Sequence, residues 1–250
     1  MAKSTGLGMK LYLMGYDMSG DVGAINTMRS SMAVLDVTAI DGTTHERIPG
    51  LRDGEITFSV FFNSATGETH DYLATLPTTD VLCMVLTSTT AGQPVICLTA
   101  KQVNYDWQRN ADGSMLGTVQ LLAASGIPLE YGLLLTSKVT HASADDETGI
   151  DFGAQTTAGA IGYLQHFSAA SGTVEYDLED SSDSTTGADG SWANLGAFTD
   201  VATPYAPTAQ RISISGTVER WVRASTNGTF TNASFAMAFR RRRATDYDAA

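Results

Sequence analysis

The stretch from Asp36 to Asp80 constrains the fold more than any other part of the chain. Residues 54–62 place apolar side chains at every second position, the period of a strand with one buried face. Residues 32–40 are rich in β-branched side chains and are also typical of a strand. The polar residues 41–54 between them contain Asp-Gly twice and Pro-Gly once, all turn signals. The stretch therefore predicts two strands joined by a loop.

Residues 66–76 are the best helix candidate of the chain. Thr66 can cap the helix, apolar side chains recur at helical spacing, and Pro77 stops it. Before the first strands, residues 1–8 predict an N-terminal arm. Residues 16–31 are rich in Gly, Ser, Asp and Asn, which favours a long loop.

The rest of the chain predicts further strands. Segments of regular length, split by Gly, Asn and Pro, are typical of a β-sandwich. Residues 141–157 are polar and acidic without periodicity at their start, and we interpret them as a linker. The expected architecture is mainly β: a β-sandwich or partial barrel over 1–140 with one flanking short helix, then a second, Ig-like or jelly-roll-like sandwich over 158–250.

The net charge of −12 and the isoelectric point near 4.6 restrict the partners. A surface this acidic repels nucleic acid instead of gripping it, and it keeps a concentrated protein in solution. No apolar run reaches the roughly 18 to 20 residues of a membrane helix, and no signal-peptide pattern is present. We expect a protein used without export or a membrane, with Cys83 and Cys97 as free, buried thiols.

No catalytic or cofactor motif is present, so we predict neither an enzyme nor a cofactor. The four histidines lack a metal-ligand spacing, and no metal site is predicted. The segment from Asp177 to Asp189 is rich in carboxylates. A calcium loop is one interpretation, but its characteristic glycine and spacing are absent, so a solvated loop is favoured.

Aromatic and basic residues near the end of the chain form a second candidate contact surface. A sandwich needs aromatic side chains in its core, which favours core or subunit contacts over glycan binding. The candidates for a surface contact of this second part are Trp192, Trp221, Arg240 and Arg241.

The chain resembles the major tail proteins, or tail tube proteins, of long-tailed non-contractile bacteriophages. Its second part resembles a β-sandwich appendage carried by some of them. The first part carries the resemblance in YDMSGDVG (16–23), MAVLDVTAI (32–40), GLRDGEITFSVFFN (50–63), THDYLATLPTTD (69–80) and AKQVNYDW (100–107). The second part carries it in GYLQHFSAASGTVEYDLEDSSD (162–183), SWANLGAFTDV (191–201), AQRISISGTVERWVRA (209–224) and FTNASFAMAFR (230–240).

The resemblance implies a structural virion protein located in the tail and assembled in the host cytoplasm. Such subunits close hexameric rings by edge-to-edge β pairing, and the rings stack into a tube. The partners it implies are further copies of the chain, the tape-measure protein, the tail terminator, baseplate or tip proteins, and double-stranded DNA passing through without sequence-specific binding. The loop 41–54 then contacts the next ring, with candidate residues Asp41, His45, Glu46, Arg47, Arg52 and Asp53.

Two other classes of protein fit the same residues. One is another virion β-protein, such as a tail terminator or a head decoration protein. The other is a carbohydrate-binding surface module whose active part is the second domain.

Overall fold

A computed structural model of the protein describes residues 6–243. Most of these residues lie in antiparallel strands and only one short α-helix occurs among them, which confirms the mainly β fold predicted from the sequence. The elements, in chain order, are β1 (Lys10–Leu13), β2 (Tyr16–Asp17), a 3-10 turn (Met18–Gly20), β3 (Val22–Asp36), β4 (Arg47–Phe61), α1 (Thr69–Leu73), β5 (Val81–Leu86), β6 (Pro94–Arg109), β7 (Met115–Ala123), β8 (Glu130–His141), β9 (Asp145–Asp146), β10 (Ile150–Asp151), β11 (Ala160–Ser168), β12 (Ser171–Ser181), β13 (Ala193–Ala197), β14 (Val201–Ala202), β15 (Thr208–Ile214), β16 (Trp221–Thr231) and β17 (Ala233–Arg241).

Two predicted loops are wrong because strands occupy much of each. Residues 22–31 belong to β3, and residues 47–54 belong to β4. Neither segment alternates clearly in sequence, yet both belong to one ladder, in which residues 22–31 pair with 53–60 and residues 47–54 pair with 30–36. Of the predicted arm, residues 1–5 lie outside the described part of the chain.

The predicted helix is shorter than expected. It covers only Thr69–Leu73, and Glu68 instead of Thr66 occupies the N-cap position. Gly67 has a φ of 82° and Leu76 a φ of 43°. Both angles lie in the left-handed region, which an α-helix cannot continue through, and this limits the helix at either end.

The described chain divides into two compact units. Unit 1 consists of the described parts of Met1–Gly20, Leu82–Cys97 and Tyr131–Ala250, and unit 2 of Asp21–Val81 and Leu98–Glu130. This interleaved division differs from the consecutive domains 1–140 and 158–250 expected from the sequence. Within the expected linker, β9 and β10 both pair with β16, so these residues belong to the strand network of unit 1.

Unit 1 contains two sheets with a shared apolar core. One sheet includes β15, β11, β17 and β8 in this order, and the other has β10, β16, β12 and β13. Tyr176 and Leu178 of the second sheet and Phe235 and Phe239 of the first belong to the same buried cluster. Large side chains of β17 alternate with Ala236 and Ala238, which face a second buried cluster. The central strand β17 is therefore buried on both faces.

Both cysteines lie buried in unit 1. Cys83 and Cys97 form no disulfide and have no measurable exposure, as predicted. Burial raises the pKa of Cys83 to about 12 because an apolar environment penalises the thiolate. The Cys83 thiol is therefore chemically inert in the folded protein at neutral pH.

Unit 2 is built on a sheet in which β4 pairs with β3 on one side and with β7 on the other. The second half of β6 pairs with β7 and extends the sheet. Ile56, Phe58 and Val60 alternate along β4 and are fully buried, so the period predicted from the sequence is confirmed for this segment. The backbone carbonyl of Leu73 in α1 accepts a hydrogen bond from the amide of Gln102 on β6.

Candidate functional site

The most unusual feature of unit 2 is a long hairpin formed by β3 and β4. The ladder runs from Val22 opposite Val60 to Asp36 opposite Arg47. The neighbouring strand β7 pairs only with Glu55–Phe61. In the described part of the chain, residues 30–53 therefore form a two-stranded projection without a third strand. We call this segment the distal hairpin.

Gly54 marks the point where the distal hairpin leaves the sheet. It is buried, and a Cβ atom built on it would lie 2.6 Å from the backbone nitrogen of Leu129 and 3.0 Å from the Leu98 side chain. No real Cβ tolerates the first distance, so only glycine permits this close approach. Beyond Gly54 toward the hairpin end, the side chains of β4 are solvent-exposed.

Apolar side chains lie on both faces of the distal hairpin. Leu35 is opposite Ile48, while Val34 is opposite Pro49, and adjacent positions along a strand face opposite sides. The exposed fractions are large: Met32 47%, Val34 58%, Leu35 56%, Ile48 49%, Leu51 87% and, in the connecting loop, Ile40 107%. Apolar surface on both sides of a two-stranded projection is characteristic of a segment that another protein surface covers.

The connection between β3 and β4 is an ordered loop. Asp36 accepts hydrogen bonds from the Thr38 amide at 3.0 Å and the Thr38 hydroxyl at 2.5 Å. Its other oxygen lies 2.8 Å from Nδ1 of His45, and the Glu46 amide donates to the Thr38 hydroxyl. The Thr38 side chain, and after it the Thr38 amide, lowers the pKa of Asp36. The loop is thereby shaped by its own side chains before any partner arrives.

The structure brings the six residues predicted for the stacking contact into this one segment. All six are exposed, and none of them contributes to a buried core of unit 2. The loop holds the first three and β4 the others: Asp41, His45, Glu46, Arg47, Arg52 and Asp53. Their contact with a neighbouring subunit stays a prediction.

A cluster of four rings lies in the same unit and was not identified from the sequence. Phe62 follows β4, His70 lies in α1, and Tyr105 and Trp107 lie on β6. Ring centroids are 4.7 Å apart for Phe62 and His70, 5.0 Å for Phe62 and Trp107, and 4.9 Å for Tyr105 and Trp107. The four side chains belong to three separate segments, and only the spacing of Tyr105 and Trp107 was visible in the sequence. We call these residues the aromatic cluster.

The aromatic cluster is partly open to solvent. Phe62 is 40% exposed, and the other three rings have intermediate exposure. Nδ1 of His70 lies 3.2 Å from the Tyr105 hydroxyl. The indole nitrogen of Trp107 is buried and has no hydrogen-bonding partner. Burial, with a contribution from Asp21, raises the pKa of Tyr105 to about 12, so its hydroxyl keeps its proton.

The candidate contact residues of the second part are distributed differently. Trp221 is only 8% exposed, and the guanidinium of Arg241 donates to the carbonyls of Ala154 and Glu219. Arg240 is partly buried at the end of β17. The ring of Trp192 lies under the guanidinium of Arg223, 4.4 Å away. These contacts lie within unit 1 and do not form one open aromatic platform.

The carboxylates between Asp177 and Asp189 are occupied by donors of the chain itself. Asp189 accepts hydrogen bonds from the amides of Thr185 and Thr186 and from the hydroxyls of Ser184, Thr185 and Thr186. These donors, the Thr185 hydroxyl most strongly, lower the pKa of Asp189 far below its usual range. Among residues 6–243, no group of three or more His, Cys, Asp or Glu side chains is arranged to hold a metal ion. In the same part of the chain, no helix has the length and hydropathy to cross a membrane.

Comparisons with known proteins give only distant similarity. No protein-family model and no curated protein matches the chain. A chain of the virion of a native gene transfer agent particle is 12% identical, with a TM-score of 0.42 over 51% of this chain and 99% of that chain. A chain of the tail of an empty gene transfer agent particle with C6 symmetry is 16% identical, with a TM-score of 0.36 over 52% and 98%. The Dit protein of phage SPP1, described as a hub of the adsorption apparatus, is 12% identical, with a TM-score of 0.32 over 93% and 98%. All three TM-scores are below 0.5, so these similarities support no inference about function.

Proposed function

We propose that this protein is a structural component of a bacteriophage virion tail that self-assembles into stacked rings forming the tail tube. The single observation that carries the proposal is the distal hairpin. It projects from its sheet with only two strands, and its apolar side chains are exposed on both faces. The sequence resemblance to major tail proteins supports the same conclusion and supplies the expectation of six subunits in a ring.

An isolated two-stranded hairpin is marginally stable in water at best. Fully burying one large aliphatic side chain contributes roughly 1.5–3 kcal/mol. Burial of the six exposed apolar side chains of the distal hairpin against a partner would therefore stabilise the associated state substantially. Each copy of the chain carries the same projection, so an assembly of many copies covers all of these surfaces at once.

The outer edge of β3 supports ring closure in the same way. In the described residues, β3 pairs only with β4 and leaves the other edge of a 15-residue strand unpaired. Unpaired strand edges favour pairing with another chain. Pairing of this edge with a neighbouring subunit extends the sheet of unit 2 from one copy to the next.

The net charge fits a tube through which DNA passes. At −12 per chain, the assembly repels phosphate groups, and this repulsion acts within a Debye length of about 8–10 Å at physiological ionic strength. DNA then passes through without being held. The partners implied by the resemblance, namely the tape-measure protein, the tail terminator and the baseplate or tip proteins, belong to the same proposal.

Negative-stain microscopy of the purified protein tests the proposal. We expect rings or tubes that form as the concentration rises. A variant in which Met32–Arg52 is replaced by an Asn-Gly turn keeps the opposed pair Ser31 and Asp53 and removes the exposed part of the projection. This variant should fold as a monomer and form no tubes. A wild-type protein that stays monomeric at high concentration, or tubes formed by the shortened variant, would overturn the proposal.

A further inference from the structure

The distal hairpin and the aromatic cluster lie at opposite ends of the same strand. The hairpin loop precedes Arg47, where β4 begins, and Phe62 directly follows Phe61, where β4 ends. Fourteen residue steps at about 3.3 Å separate these two ends, which gives about 45 Å along the strand. Unit 2 thus has an exposed apolar projection at one end and a partly open group of aromatic rings at the other.

We infer that the aromatic cluster of one subunit is the surface that receives the distal hairpin of another subunit. The inference rests on the proposed function, because it identifies the receiving site of the same self-association. A projection at one end and its acceptor at the other make a head-to-tail contact. Such a contact repeats from copy to copy, because each bound subunit still presents one unoccupied surface to the next. Every subunit then binds one copy through its hairpin and one through its cluster.

The side chains of the two surfaces are complementary. The distal hairpin presents flexible or branched aliphatic groups, of which Leu51 at 87% and Ile40 at 107% are the most exposed. The cluster presents rings, and Phe62 leaves 40% of its surface uncovered. Aromatic side chains are enriched among the residues that anchor protein interfaces.

Both surfaces are acidic on balance. Glu68 and Asp71 are exposed on either side of His70. The distal hairpin carries two exposed guanidinium groups and four carboxylates, namely Asp36, Asp41, Glu46 and Asp53. Apolar contact therefore has to outweigh electrostatic repulsion, and association should strengthen as the salt concentration rises.

Crosslinking tests the contact directly. Thr44 in the hairpin loop and Ser64 beside Phe62 are exposed polar residues, so Thr44→Cys and Ser64→Cys leave the apolar contacts in place. The native Cys83 and Cys97 are buried. In one subunit the two new thiols are separated by about 45 Å of strand, out of reach of a short bismaleimide. The double variant should therefore give a ladder of dimers, trimers and larger covalent products.

Mixing the two single variants provides the matched control. The mixture should give a covalent dimer that joins one Thr44→Cys chain to one Ser64→Cys chain. No larger product should form, because each chain then has one reactive thiol. The control pair Thr44→Cys and Thr79→Cys, the latter exposed beyond α1, should give no ladder. Wild-type tubes without a ladder in the double variant overturn this inference and leave the proposed function intact. Absence of wild-type assembly overturns both.

A double-mutant cycle gives a second, independent measurement. Leu51→Ser and Phe62→Ser should each lower the association constant by at least about tenfold. Leu51→Ser should leave thermal unfolding of the monomer unchanged, whereas Phe62→Ser also loses ring contacts with His70 and Trp107, so association is measured well below its unfolding temperature. If the two side chains touch across the contact, the combined loss is smaller than the product of the single losses. Strict multiplication of the two effects would also overturn the inference.

Discussion

Replacing Leu51 by serine separates assembly from folding, because Leu51 is exposed in the single chain. Its exposed fraction is 87%, so the folded monomer gains almost nothing from its burial. The free energy of unfolding should change by no more than about 0.5 kcal/mol, the usual range for surface substitutions. If the side chain becomes fully covered in the assembly, its burial contributes about 2 kcal/mol to each contact.

A loss of about 2 kcal/mol corresponds to a roughly 30-fold weaker association constant. Sedimentation velocity over a range of concentrations measures this shift, and chemical denaturation of the dilute protein measures the unfolding free energy. Phe58→Ala is the opposite control, because Phe58 has no exposed surface and its truncation should lower the unfolding free energy by about 3–5 kcal/mol. Leu76→Ser, at a side chain 48% exposed outside the distal hairpin, controls for loss of exposed apolar surface in general.

Two results would refute this reasoning. The first is a Leu51→Ser monomer that has lost 2 kcal/mol or more of unfolding free energy, because the side chain would then be buried within the chain itself. The second is an association constant equal to that of the wild type, because no partner would then cover the most exposed leucine of the hairpin. A loss of similar size in Leu76→Ser would show that the effect is not specific to the hairpin.

Three further predictions concern charge, pH and metal ions. Charge reversal by Arg52→Glu or Glu46→Lys should shorten tubes in electron micrographs while the melting temperature of the monomer is unchanged. Burial lowers the pKa of His166 to about 4. Because the unfolded chain takes up a proton at this residue before the folded chain does, unit 1 should lose up to about 3 kcal/mol of stability as the pH falls from about 6.5 to 4. The variant His166→Gln cannot take up the proton, so its unfolding free energy should depend less on pH over that window. Calcium and a chelator should give the same melting temperature, because the Asp189 oxygens already accept five hydrogen bonds.

The sequence predicted strands correctly where one face of the sheet is buried. Residues 54–62 show this most clearly, since burial of Ile56, Phe58 and Val60 imposes the alternation that the sequence displays. The first half of β3 has no such pattern, because most of its side chains are exposed on both faces. A strand without a buried face lacks the alternation on which the sequence prediction depends, and residues 16–31 were therefore predicted as a loop.

The division into units depends on contacts between distant parts of the chain. Strand β8 pairs with β17, for example at Val139 and Phe235. These residues are far apart in the sequence, so no local sequence pattern predicts the pairing. A fragment ending near residue 148 would expose an edge of β8 and lose β11 and β17, so it is a poor test of either unit. The aromatic cluster was missed for the same reason, because Phe62, His70 and Trp107 come from separate segments.

A subunit with a long unpaired strand edge must avoid uncontrolled pairing before assembly. The β3–β4 ladder carries three register irregularities, between Val22 and Ala24, Ile25 and Thr27, and Met32 and Val34. Each one bends the strand and interrupts the regular edge to which an arbitrary strand would pair. On the partner strand, Pro49 removes one backbone donor from the exposed part of β4. The irregularities of β3 make its edge a poor fit for a flat strand from an unrelated chain, and under the proposed assembly a neighbouring copy with the same irregularities would fit it better. Under the proposed assembly, the features that break the regular strand pattern in the sequence would thus favour pairing with another copy of the chain over pairing with an unrelated strand.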